Sequence, residues 1–217
     1  IFETYTQVKS DNQKLYRLRV STNETSVYLR DVERLSSTNA LLRKFDAQQR
    51  FFVVIPRDEL SELNADMRRR YDRNIPVLDA RSSKLLLISN KLADGEEDEN
   101  FIAEAIVEDA SEIQHEVTFE KNGKQVHPVY DGQLKMLGYS LDKKGDVPGY
   151  GWGETAVLST YFKVMNPVPT DQEIFLHVDY PGSRIHGDHK PVGGDYPTGD
   201  WVEGDIVKDV HHLKVDP

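Results

Sequence analysis

The chain contains no cysteine, so disulfides and thiolate metal sites are excluded. No run of its 217 residues approaches 18 apolar positions, which excludes a membrane-spanning helix of ordinary length. A Gly-rich phosphate loop, a Gly-x-Ser-x-Gly elbow and a His-Glu-x-x-His zinc motif are all missing. The common signatures of nucleotide, serine-hydrolase and zinc-protease chemistry are therefore absent, and any function must be sought in less regular patterns.

The charge of the chain is unevenly distributed. The net charge is −10, and the mean hydropathy of −0.59 predicts a protein that dissolves without detergent. Residues 1–92 carry 17 Lys and Arg against 12 Asp and Glu, whereas residues 93–217 carry 10 against 25. This asymmetry favours two units, and the acidic second half argues against nucleic acid as a partner. The chain begins Ile1-Phe2-Glu3 rather than with Met, so we expect it to be a segment of a longer protein.

The first half has the pattern of a small α/β unit. The run Phe51–Ile55 is wholly apolar, as in a strand covered on both faces. It is followed by apolar residues at helical spacing from Leu60 to Tyr71. The remaining predicted elements are strands at 15–20, 26–29, 76–79 and 84–88 and a helix at 32–45.

A run of acidic residues then interrupts this pattern. Asp94 to Glu99 holds five acids and one glycine, which predicts a solvated loop or linker. We place the division of the chain there, with one domain over residues 1–100 and a second over residues 101–217.

The second half has short strands separated by dense turn residues. Asn122-Gly123 between two short strands predicts a β-hairpin. Further strands are predicted at 133–139, 154–165 and 174–178, and Pro181–Gly194 is predicted to be a long loop. The pattern predicts an antiparallel β-sandwich, immunoglobulin-like or jelly-roll-like, and hence an α+β chain overall.

The predicted loop contains the clearest candidates for metal binding. His186, Asp188 and His189 supply ligand types that suit zinc or iron, and Asp179 or Asp195 could join them. The alternative is that Asp188 and His189 fix the loop through hydrogen bonds to its backbone. A calcium site is a further alternative, although no spacing matches a twelve-residue calcium loop and repeated Gly-Asp pairs more often belong to turns; its candidate ligands are Asp179, Asp188, Asp195, Asp200 and Asp205.

Aromatic residues in the same region suggest a surface that stacks on sugar rings. Trp201 is expected in the core instead, since it adjoins Val202 before a turn. The predicted ligand-binding residues are Tyr150, Trp152, Tyr180, Asp188, His189 and Tyr196. No catalytic residue is assigned.

Several runs resemble a known class of protein. Phe52–Leu60, Val77–Ser83 and Leu86–Asn90 resemble the C-terminal region of bacterial integral-membrane glycosyltransferases similar to the dolichyl-phosphate-mannose protein mannosyltransferases and aminoarabinose transferases. The blocks Tyr161–Val164, Phe175–Asp179, Gly187–Gly194 and Trp201–Asp205 look like the β-domain of such proteins.

The resemblance implies a periplasmic, membrane-tethered accessory region without catalysis of its own. Its partners would be a glycan or lipid-linked sugar acceptor and the rest of a membrane-embedded parent protein, with no cofactor. Two alternatives stay open: a metal-dependent enzyme centred on His186, Asp188 and His189, and a β-sandwich module that docks a protein.

Overall fold

The computed structural model describes residues 1–21, 32–142, 153–180 and 183–215. The chain divides into two compact units, Ile1–Phe101 and Ile102–Pro217. Sequence reasoning placed this division between residues 100 and 101. Helices and mixed strands in the first unit and antiparallel strands in the second confirm the α+β class.

The first unit is a mixed sheet with three helices among its described residues. The sheet has the strand order β2-β1-β3-β5-β4, in which β1 is parallel to β2 and β3, and β5 is antiparallel to β3 and β4. Its elements are α1 (Phe2–Val8), β1 (Lys14–Arg17), β2 (Glu33–Arg34), α2 (Thr38–Lys44), β3 (Phe51–Pro56), α3 (Leu60–Tyr71), β4 (Val77–Asp79) and β5 (Leu85–Ser89).

The apolar patterns of this unit explain its core. Residues 52–55 of β3 are completely buried, which confirms a central strand covered on both faces. Helix α3 buries Leu60, Leu63 and Met67, so its apolar stripe packs inward as the spacing predicts. Sequence reasoning missed α1, and the strand predicted at 26–29 lies outside the described residues.

The acidic stretch is a largely exposed loop, as predicted, but it is bonded to the first unit and is not a linker between the units. The Asp98 carboxylate accepts hydrogen bonds from the Val77 amide at 2.9 Å and from the Asn100 amide at 3.0 Å. Glu99 accepts from the Ala80 amide at 2.7 Å. The Asn100 side chain is buried, and its Nδ2 donates to the Ile75 carbonyl at 2.7 Å. The carboxylates face solvent along much of the stretch but also bind backbone donors beside β4, which the charge pattern alone could not reveal.

The second unit is built around one large antiparallel sheet. This sheet has the order β10-β11-β12-β15-β6, with β7 paired to β11. Its strands are β6 (Ile106–Val107), β7 (His115–Glu116), β10 (Val129–Tyr130), β11 (Leu134–Asp142), β12 (Thr155–Val164) and β15 (Ile206–Lys214).

Two separate two-stranded ribbons complete the second unit. The first joins β8 (Phe119–Lys121) to β9 (Lys124–Val126). Asn122 and Gly123 between them both have positive φ, 52° and 73°, which confirms the hairpin predicted from this dipeptide. The second ribbon joins β13 (His177–Tyr180) to β14 (Ser183–His186).

The β13–β14 ribbon covers apolar residues of the large sheet. Leu176 and Ile185 pack against the buried side chains of Ala156, Leu158 and Leu213, which come from β12 and β15. A short 3-10 turn, Pro191–Gly194, follows the ribbon before the chain reaches β15. The second half is therefore antiparallel and rich in sheet, as its strand pattern predicts, but a two-stranded ribbon takes the place of the second sheet that an immunoglobulin-like or jelly-roll-like sandwich would have.

No helix in the described residues combines the length and apolar character needed to cross a membrane.

Candidate ligand-binding face

The β13–β14 ribbon is longer than its two named strands. His177 lies opposite His186, and Asp179 lies opposite Arg184. A bridge between Ile174 and His189 continues the same register, with both amides donating across the pair at 2.9 and 3.0 Å. This register places Phe175 opposite Asp188 and Leu176 opposite Gly187. Residues 174–180 and 183–189 therefore keep one antiparallel register, although the ladder is interrupted at 175–176 and 187–188, where the Gly187 amide donates to the Leu176 carbonyl but the Leu176 amide donates to the Asp188 carboxylate.

Alternation along this pairing separates two faces. Successive residues of an extended strand point to opposite sides, and directly paired residues share a side. The inner side carries Leu176, Gly187 and Ile185, and Leu176 and Ile185 pack on the core. The opposite side, which we call the outer face, carries Phe175, His177, Asp179, Arg184, His186 and Asp188, all of which are exposed.

The outer face is polar apart from one aromatic ring. Phe175 is 77% exposed, the highest value among the large hydrophobic side chains of the described residues. Arg184 donates to both oxygens of Asp179, at 2.6 and 3.2 Å, and this guanidinium lowers the pKa of the Asp179 carboxyl. An aromatic ring therefore lies on the same surface as two carboxylates, a guanidinium and two imidazoles.

Three of these side chains are close enough to share a ligand. Single ligand atoms of His177, His186 and Asp188 all lie within 4.8 Å of one another. The His177 and His186 rings meet edge to face with centroids 4.8 Å apart, and His177 Nε2 lies 3.5 Å from Asp188 Oδ1. That same oxygen accepts a hydrogen bond from the Leu176 amide at 2.8 Å. Within the described part of the chain, no second group of this kind occurs.

His189 is not placed to bind a metal together with His186 and Asp188, which corrects the predicted ligand set. Its Nε2 lies 2.7 Å from Asp209 Oδ2 and its Nδ1 lies 2.5 Å from the Gly187 carbonyl oxygen. Asp209 is 1% exposed and also accepts from the Val192 amide at 2.6 Å. Both ring nitrogens thus face protein acceptors, so His189 fixes the chain after the ribbon, as the structural alternative predicted.

His211, on β15, packs directly against His189. Its ring stacks on that of His189, with centroids 3.8 Å apart and planes 9° apart. Burial lowers the pKa of His211, and the adjacent His189 adds to the effect. His211 is half-buried and His212 is exposed, as expected of neighbouring residues on opposite faces of a strand.

The predicted aromatic surface is only partly described. Tyr150, Trp152 and the side chain of Tyr180 lie outside the described part of the chain. Tyr196 is completely buried, and Trp201 is 2% exposed and donates from Nε1 to the Tyr196 carbonyl at 3.0 Å. Trp201 is a core residue as expected, whereas Tyr196 has no exposed ring to offer a sugar.

The predicted calcium ligands are not brought together. Asp188 alone of those five aspartates belongs to the cluster on the outer face. Asp179 is paired with Arg184, and Asp205 is 8% exposed. The recurrent Gly-Asp pairs are therefore better explained as turn residues than as ligands of one shared cation.

The sequence pattern does not single out His177 and Phe175, because it predicts a strand that ends at residue 178 and a loop that begins at residue 181. Pro181-Gly182 is a turn dipeptide, and pairing the residues on either side of it would have set His177 against His186. Because alternate residues of a strand point to opposite faces, His186 and Asp188 would then have been placed on one face and His189 on the other.

The first unit also has a depression of about 380 Å³ beyond the ends of β1 and β2. Arg19, Arg34 and Arg70 line it together with Glu62 and Asp66. Arg19 already pairs with Glu59 and Glu62, and Arg70 donates to Asn39 at 2.7 Å. Because much of its charge is already paired within the protein, this depression is a weaker candidate than the outer face.

Comparison with known proteins adds no assignment. A scan of protein-family models, a search of curated proteins and a search of solved structures each returned no match to the chain.

Proposed function

We propose that this chain is a non-catalytic accessory region of a membrane-bound sugar transferase, on the periplasmic side of a bacterial inner membrane, and that its outer face binds a glycan. The sequence resemblance to such transferases supports the proposed periplasmic location beside a membrane-bound transferase. The observation that carries the binding proposal is that the exposed Phe175 ring lies on the same face of the ribbon as the carboxylates of Asp179 and Asp188.

This combination suits a sugar. The C–H groups on one face of a pyranose form an apolar patch that packs on an aromatic ring, and carboxylates accept hydrogen bonds from hydroxyl groups. The outer face presents both chemistries on one paired ribbon whose other side is anchored in the core. A rigid, preformed surface reduces the ordering cost of binding.

The affinity is expected to be low. A face built on a two-stranded ribbon is open and buries little ligand surface, so a dissociation constant of about 0.1–1 mM is expected. Oligosaccharides, including mannose-containing ones, would be titrated into the ¹⁵N-labelled protein while amide shifts are followed. The shifts should concentrate on residues 174–179 and 184–189.

Two phenylalanine variants make the test specific. Phe175→Ala removes the proposed stacking ring and should weaken binding at least tenfold. Phe119→Ala removes another exposed ring, 48% exposed and on the separate β8–β9 ribbon, and should leave binding unchanged. If no oligosaccharide shifts the outer-face amides at tens of millimolar, the glycan proposal fails and the protein-docking module becomes the better explanation.

A further inference from the structure

We propose that His177, His186 and Asp188 form a binding site for a divalent transition metal of the zinc class. Imidazole nitrogen and carboxylate oxygen are the ligands that zinc accepts in catalytic and other open sites. The inference is independent of glycan binding, because it rests on the placement of these three side chains alone.

The backbone sets the two histidines side by side. His177 and His186 are directly paired across antiparallel strands, and their ring centroids are 4.8 Å apart. Directly opposed residues on one face have neighbouring Cβ atoms, so two imidazoles can bind one ion without backbone movement. A tetrahedral ion with bonds of about 2.0–2.1 Å needs ligand atoms separated by roughly 3.3 Å.

The observed separations are close to this requirement. All three ligand atoms lie within 4.8 Å of each other, and the His177 to Asp188 distance is already 3.5 Å. The three side chains are exposed, so small χ rotations can close the remaining gap without disturbing the core.

The third ligand is oriented by the backbone. Asp188 Oδ1 accepts the Leu176 amide at 2.8 Å, which holds the carboxylate toward the histidine pair. Hydrogen bonds of this kind orient the ligands of metal sites and raise their affinity. His189 is excluded from the set because both of its nitrogens are bonded on the inner side of the ribbon.

Three protein ligands leave at least one coordination position open to solvent. An exposed ion with an open position can bind water or an oxygen of a further ligand. The site would thus add a positive charge to an acidic unit, at the surface beside Phe175.

Isothermal titration of zinc chloride into the tag-free, EDTA-treated protein tests the site. One zinc ion per chain with a dissociation constant of about 1–100 µM is expected at pH 7.5. His177→Ala, His186→Ala and Asp188→Asn should each weaken binding at least tenfold. Long-range ¹H–¹⁵N spectra should show zinc-dependent shifts of the His177 and His186 ring nitrogens.

Matched variants separate this site from the alternatives. His212→Ala removes an exposed histidine of β15 and should leave zinc affinity unchanged. His189→Ala, tested at a temperature where circular dichroism shows it folded, should also retain zinc. Loss of zinc in His189→Ala but not in His177→Ala would overturn the proposed ligand set. Absence of saturable binding below about 1 mM, or binding as tight as that of the unmodified protein in all three ligand variants, would overturn the site itself.

Discussion

At the residue scale, Gly187 shows how tightly the ribbon lies on the large sheet. A Cβ atom at this position would lie 2.6 Å from Leu213 Cδ2 and 3.0 Å from Leu176 Cδ2. Real Cβ atoms do not approach carbon so closely, so the neighbours would have to move. A side chain at this position would therefore have to displace Leu213, and the glycine that avoids this lies between His186 on the outer side and His189 on the inner side.

Replacing this glycine should destabilise the second unit. We expect Gly187→Ala to lower the free energy of unfolding by about 1–3 kcal/mol, because the added methyl group overpacks the contact with Leu213. Urea unfolding followed by tryptophan fluorescence measures the change. In a Leu213→Val background, which lacks the clashing Cδ2 atom, the same replacement should cost at least about 1 kcal/mol less. An equal cost in both backgrounds would show that the clash is not the cause.

A second prediction concerns the buried Asp79 carboxylate. Arg81 donates to its two oxygens at 3.1 and 2.8 Å, and Thr4 donates as well; these bonds hold the pKa of Asp79 well below its ordinary value, with Arg81 as the largest cause. A carboxyl group with a lowered folded pKa stabilises the protein fully above its unfolded pKa. That contribution is lost as the pH falls below about 4.

Asp79→Asn should therefore lower the unfolding free energy at pH 7 by about 1–2 kcal/mol, a value reduced for solvent screening because Arg81 is 67% exposed. The difference from the unmodified protein should shrink as the pH is lowered from 5 to 3. Thermal unfolding across this range measures it, with the exposed Asp11→Asn as control. A difference that stays constant with pH would contradict the role of the charge.

At the element scale, the strong periodic patterns predicted the structure well. The buried run of β3, the amphipathic α3 and the Asn122-Gly123 turn were all predicted from residues within a few positions of each other. The ribbon was predicted only in part, since its pairing joins residues up to 15 positions apart. Tyr196 was misplaced for a related reason: its aromatic ring suits either a core or a sugar site, and only the tertiary packing decides.

The acidic stretch yields a prediction about local order. Asp98→Ala removes the acceptor shared by the Val77 and Asn100 amides, so the loop should open more often. Proteinase K should then cleave within residues 93–99 several-fold faster than in the unmodified protein. Asp94→Ala, at an exposed position of the same stretch, is the control and should change the rate little. Equal cleavage rates in the two variants would show that the Asp98 bonds do not hold the loop.

At the scale of the whole molecule, the unit boundary changes how the charge is divided. Residues 1–101 contain 17 Lys and Arg and 17 Asp and Glu, whereas residues 102–217 contain 10 and 20. The acidic stretch therefore neutralises the first unit, and Glu96 pairs there with the largely buried Arg50. The basic excess of the first half depends on a boundary at residue 92. It disappears when the boundary is placed at residue 101, where the two units meet along the chain. The acidic character of the second unit persists, with a formal charge of −10.

Each unit holds a complete sheet of its own, and this supports the last prediction. Every strand of the five-stranded sheet comes from residues 14–89, and every strand of the six-stranded sheet comes from residues 106–214. Fragments 1–101 and 102–217, expressed separately, should therefore each give a dispersed ¹H–¹⁵N spectrum and a cooperative unfolding transition. A fragment of residues 1–80 is the control. It lacks β5, which lies between β3 and β4, so it should be unfolded because the sheet loses an inner strand. A collapsed, poorly dispersed spectrum from either long fragment would mean that the two sheets need each other to fold.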